Sequence, residues 1–79
     1  MTQLNRTMTN DERREQLLTA VYDHARDAFV IGAKLAVVRV LMSQLAQPLE
    51  KWLPGFASQA DSAVRDAFYE VAQRRALSN

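Results

Sequence analysis

Seventy-nine residues with no cysteine and one histidine leave room for a single domain, with no disulfide, no thiolate metal site and no multi-histidine cage. Ten basic against nine acidic residues give a net charge of +1, without the basic excess that marks most nucleic-acid binders. A chain this short has a marginal core unless something reinforces it, and with disulfides and metals excluded the remaining common reinforcement is oligomerisation.

Residues 1–8 are polar and unpatterned, and they are expected to form a disordered tail in which Met8 is a second candidate start. They include no apolar stretch of the kind a secretory leader needs, so a cytoplasmic protein is expected. Arginine outnumbers lysine eight to two and alanine is abundant, a composition that suits a GC-rich bacterial or phage genome.

Thr9-Asn10-Asp11-Glu12 has the spacing of a capping box, in which the Thr9 hydroxyl accepts from the Glu12 backbone N–H and the Glu12 carboxylate reaches back. Asp11, Glu12 and Glu15 add negative charge where the helix dipole favours it. A helix beginning here is expected to run to Gln47, with Pro48 ending or kinking it. Its apolar positions fall on a heptad. Leu17, Val21, His24, Ala28, Ile31, Leu35, Val38 and Met42, followed by Leu45 and Leu49, alternate in steps of four and three.

Within that helix, thirteen of the fifteen residues from Ala28 to Met42 are apolar or glycine, and only Lys34 and Arg39 interrupt them. Val30, Ile31, Val37, Val38 and Val40 favour a strand here, but Ala25, Ala28, Ala33, Ala36 and the continuing heptad favour a helix. Gly32 beside the seam suggests a close helix–helix approach, since a mid-helix glycine otherwise costs about 1 kcal/mol against alanine. The run is shorter than the ~20 residues of a spanning helix and carries two cations, which argues against a membrane partner.

Residues 48–57 form the connection, with Pro54-Gly55 as its turn signal. Ser58-Gln59-Ala60-Asp61 is a weaker capping signature, and a second helix is expected from there to about Leu77. Ala60, Val64, Ala67, Phe68, Val71 and Ala72 line its apolar face, while Asp61 with Arg65 and Glu70 with Arg74 are acid-first pairs four residues apart.

These elements predict an all-α fold in which residues 9–79 form one helical hairpin, a long helix of about 55 Å and a return helix of about 30 Å. The shorter arm would leave Leu17, Leu18, Val21 and Tyr22 bare, along with the far side of residues 28–42. Two hairpins packed about a two-fold axis would cover both, giving a homodimeric four-helix assembly. Its seam would be Leu17, Val21, His24, Ala28, Ile31, Leu35, Val38 and Met42.

Chemistry-bearing residues are sparse. His24 between Asp23 and Asp27 is read as a packed interface histidine rather than a switch or general base. No nucleophile, base and metal ligand can be assembled, so no catalytic residue, cofactor or metal is expected and an enzyme is not. The stems of Lys34 and Arg39 are expected to cover apolar surface with their heads in water, and Arg39 suits a contact across a seam. The doublets Arg13-Arg14 and Arg74-Arg75 are interspersed with acids and read as solvated faces. Trp52, with Leu49, Leu53 and Phe56 nearby, is the best binding candidate, either as a protein-binding anchor or as the plug of the open hairpin. The expected partner-binding set is Trp52, Leu53, Phe56, Tyr22 and Arg39.

A capped long helix, a Trp52-bearing Pro54-Gly55 loop and a shorter return helix, over residues 9–77, resemble in architecture the small phage- or plasmid-encoded helical inhibitors of host proteins. Quorum-sensing anti-activators are among them. The resemblance implies a homodimer that binds and inhibits another protein, such as a host transcriptional regulator. A small nucleic-acid-binding regulator and a structural or adaptor module are the alternatives.

Overall fold

The structure, a computed structural model, describes residues 9–78, so the expected N-terminal tail and Met8 lie outside the described residues. It is all-helical among those residues: α1 spans Asn10–Val30, α2 Leu35–Glu50 and α3 Phe56–Ser78. No helix is long and apolar enough to cross a membrane.

The capping box forms as expected. Thr9 accepts from the Glu12 backbone N–H at 3.1 Å, and the Glu12 carboxylate accepts from the Thr9 N–H at 3.0 Å. The helix that starts there does not continue to Gln47, which corrects the expected single long arm. It stops at Val30, and Gly32 takes a φ of +102°. The Gly32 N–H donates to the Phe29 carbonyl at 3.0 Å and the Ala33 N–H donates to the Ala28 carbonyl at 3.0 Å. This pair of bonds, with glycine in the left-handed region just past the cap, is a Schellman motif. The expected close approach at Gly32 is also corrected: an added Cβ would meet nothing within 4 Å. The glycine is there for its φ and not for its size.

The reversal sends α2 back alongside the other helices. Leu17 and Leu18 near the start of α1 pack against the cluster formed by Phe56 and Ala60 at the start of α3 and Ala46 late in α2, which Leu49 also joins. Ala25 and Phe29 further along α1 pack with Val38 of α2 and with Val64, Ala67 and Val71 of α3. Thus α1 and α3 run in one direction and α2 in the other. Both α1 and α2 pack chiefly on α3 and touch each other little. The molecule is accordingly flattened, 49 × 30 × 16 Å, the last little more than the ~10–12 Å diameter of one helix.

Two buried clusters fill it, one around Phe29, Val38 and Val64 and one around Ala46, Leu53 and Phe56. Phe29 meets Phe68 edge to face with ring centroids 5.2 Å apart. Of the expected α3 face, Ala60, Val64, Ala67 and Val71 are buried and Phe68 half-buried, whereas Ala72 is exposed. Leu17, Leu18, Val21 and Tyr22 are half-buried, so they are not left bare as the two-helix arrangement required. Pro48 lies within the last turn of α2, which continues only to Glu50.

The turn at Gly32 separates this fold from a continuous helix by the sign of one substitution. Gly32→Ala is expected to destabilise by about 1–2 kcal/mol in urea unfolding, because alanine resists a positive φ. In an unbroken helix the same change would stabilise by about 1 kcal/mol.

Candidate partner-binding surface

The connection between α2 and α3 sorts its apolar residues by direction. The Leu49 carbonyl accepts from the N–H groups of Trp52 (3.0 Å) and Leu53 (2.8 Å), and the Leu53 carbonyl accepts from Phe56 N–H at 2.9 Å. This tight winding points Leu53 and Phe56 into the core, at 2% and 1% exposure, and turns Trp52 outward at 75%. Leu53 and Phe56 therefore plug the open end of the helices. Phe56 is enclosed and Leu53 only closes the bottom of a groove, so neither offers an exposed contact in the single chain, which corrects their place among the expected partner contacts. Trp52 stands over a shallow groove whose other walls are Asn10 and Arg13 of α1 and half-buried Leu49, with the buried Leu53 at its floor.

Two charged side chains hold this loop. Arg14 Nη2 donates to the Pro54 carbonyl at 3.1 Å, tying α1 to it. The Glu50 carboxylate accepts from Gly55 N–H at 2.7 Å and from Ala57 N–H at 2.9 Å, so it caps the start of α3. The Ser58–Asp61 signature is not used as a cap, because α3 begins two residues earlier, at Phe56. The Ala57 bond, then the Gly55 bond, and least the nearby Arg14 charge hold the Glu50 carboxyl below its ordinary value of 4.5.

The remaining expected contacts are engaged within the chain. Arg39 Nε donates to Asp61 Oδ1 at 2.8 Å, and Arg65 Nη2 meets Asp61 Oδ2 at 3.1 Å. Arg39 thus joins α2 to α3 within the single chain. The Tyr22 hydroxyl donates to Glu70 Oε1, and Glu70 Oε2 pairs with Arg74 at 3.0 Å. The acid-first pairs expected on α3 are both present.

Arg75 belongs to a doublet expected to form a solvated face. It donates from Nη2 to the Phe29 (2.5 Å) and Val30 (3.1 Å) carbonyls. Those carbonyls lie at the end of α1, a helix with no basic residue in its own last turn. The sequence signal was limited to the absence of a local cation there. Arg26, Arg74 and Arg75 share one shallow hollow, but Arg26 pairs with Asp23 at 3.6 Å and the other two are engaged as described.

The expected seam is divided by the reversal at Gly32. Val38 is buried in the chain's own core, and Leu17, Val21, Ala28, Leu35 and Met42 are half-buried there. His24 and Ile31 are exposed. Within the chain the heptad is covered mainly by α3, and the reversal at Gly32 corrects it as one continuous stripe. What stays uncovered from the apolar run is a different set: Val30, Ile31, Val37, Val40 and Leu41.

Among the described residues, no group of three or more histidine, cysteine or acidic side chains could hold a metal ion. Comparison with known protein families, with curated proteins and with solved structures gives no match.

The role of Glu50 as a cap is testable by pH. Its carboxyl is depressed in the folded chain, so its stabilising contribution is present above pH 4.5 and lost as pH falls through the lower folded value. Glu50→Gln is expected to lower Tm at pH 7, and the gap to wild type should narrow and then close as pH falls below 4.5.

Proposed function

We propose that this chain is a non-enzymatic, homodimeric protein-binding module of the bacterial or phage cytoplasm. In this reading it captures a partner protein, such as a transcriptional regulator, and holds it inactive in the manner of an anti-activator. The observation that supports this is Trp52: a large aromatic side chain, 75% exposed, on a loop pinned from two sides. Rigid tryptophan beside a partly apolar groove is the usual composition of a binding hot spot, because most of its area is still available for burial and little conformational entropy is lost. The groove's apolar floor, Leu49 and Leu53, with Arg13 at its lip, suits an apolar side chain flanked by a carboxylate. A nucleic-acid reading has less support, since Arg14, Arg26, Arg39, Arg65, Arg74 and Arg75 all bond within the chain.

The test places a photo-cross-linking residue at position 52 in cells and another at exposed Asp66 as control. A discrete adduct with one protein at 52 and none at 66 is expected. Trp52→Ala, with helicity and Tm retained, should weaken binding of that protein by about 2–4 kcal/mol, roughly 30-fold to several-hundred-fold. Release of the partner's own activity by the variant completes the inhibitor reading. Equal adduct formation at both positions, or unchanged affinity in Trp52→Ala, removes Trp52 from the site.

A further inference from the structure

Helix α2 carries two apolar stripes and its own chain covers one. Val38 and Ala46, with Leu35, Met42 and Leu49 half-buried beside them, face the core. About a quarter-turn round the axis, at ~100° per residue, lies a second stripe. Val37, Leu41 and Leu45 form a ridge in steps of four, and Val40 and Pro48 lie alongside. The exposures of Val37, Val40, Leu41 and Leu45 are 53%, 58%, 52% and 64%. No residue from Val40 to Leu49 is charged, and Arg39 just before them is drawn to Asp61 on α3.

We propose that this ridge is the surface on which two copies of the chain meet, across a two-fold axis passing near Leu41. The inference rests on the homodimer part of the reading above, and it is separate from the Trp52 groove.

Three physical points select a second copy as the occupant. The first is area. The four side chains and Pro48 leave on the order of 400 Å² of apolar surface uncovered. A standard interface buries about 800 Å² per partner, of which roughly 56–65% is apolar, so the patch supplies most of the apolar share. The second is charge. An isologous contact brings the same patch against itself, so any charge on it would face its like; this one carries none. The third is shape. Rows four residues apart pack into the grooves of an identical surface at about −50°, the commonest crossing of helices in globular proteins. Val37–Leu41–Leu45 is such a row, and the groove between it and Val40–Gln44–Pro48 receives the partner's ridge. At that crossing the ends of the two α2 helices diverge. Trp52 is eleven residues from Leu41, about 16 Å along the axis at 1.5 Å per residue, and stays outside the contact. The dimer then presents two free Trp52 grooves.

The experiment is sedimentation of the full chain at micromolar concentration, alongside Leu41→Glu and Trp52→Ala. Wild type and Trp52→Ala are expected at twice the 9.0 kDa chain mass, and Leu41→Glu at the single-chain mass with helicity retained. Because the chain has no cysteine, Leu41→Cys and Asp66→Cys with a short bismaleimide give an independent readout on chains without the glutamate. Efficient covalent dimer from position 41 and little from 66 is expected. A wild type that sediments as one chain overturns the proposal and leaves the Trp52 cross-linking result standing on its own. A dimer that survives Leu41→Glu, or that cross-links at 66 instead of 41, overturns this surface while the two-copy reading survives.

Discussion

At Gly32 the backbone takes a φ of +102° and the last carbonyls of α1 are closed by Gly32 and Ala33. The rest of the arrangement follows from this reversal. Had the helix continued, α3 folding back from the loop could reach only its C-terminal half, and Leu17, Leu18, Val21 and Tyr22 would have no cover from the chain. Because it turns, α3 becomes the middle element and packs on both neighbours from Phe56 to Val71. A residue with a Cβ would find the space but not the backbone conformation.

The ends of the helices are held by side chains from elsewhere. Arg75 of α3 bonds the carbonyls that close α1, Glu50 of α2 bonds the amides that open α3, and Arg14 of α1 reaches the loop between them. The first two satisfy backbone groups at helix termini, and the third a carbonyl of the loop. Each also links two elements, so register along the helices is fixed by polar contacts at the ends, while alanine-rich contacts allow close approach in the middle. Arg39 with Asp61 does the same between α2 and α3 nearer the centre.

A flattened molecule pays for its shape in uncovered apolar surface. Among the described residues, α1 and α2 lie on either side of α3 with little contact between them, and the outer flank of α2 is exposed. The outward ridge of α2 and the outward Trp52 are both consequences, yet they differ in character. The ridge is uncharged and apolar, as a symmetric contact favours. Trp52 is a single large ring beside Arg13 and Asn10, as a contact with an unlike surface favours. That division is why we assign the two surfaces to different partners, a second copy for one and a foreign protein for the other.

The sequence by itself determined the elements whose causes lie within about a turn of one another. Thr9 and Glu12 mark the first helix start, Asp61 with Arg65 and Glu70 with Arg74 pair as their spacing requires, and Ala60, Val64, Ala67 and Val71 mark the inward face of α3. Even the division of the loop, Leu53 inward and Trp52 outward, was open to local reading as one of two uses of the same residues. The tertiary structure alone decided that the Gly32 signal is a stop, that Arg75 and Arg14 reach across about forty positions, and which stripe of α2 turns inward. The physical reason is that a heptad records that a face must be covered but not what covers it. One long helix against a second chain and two short helices against α3 produce the same spacing of apolar residues, and only the packed fold separates them.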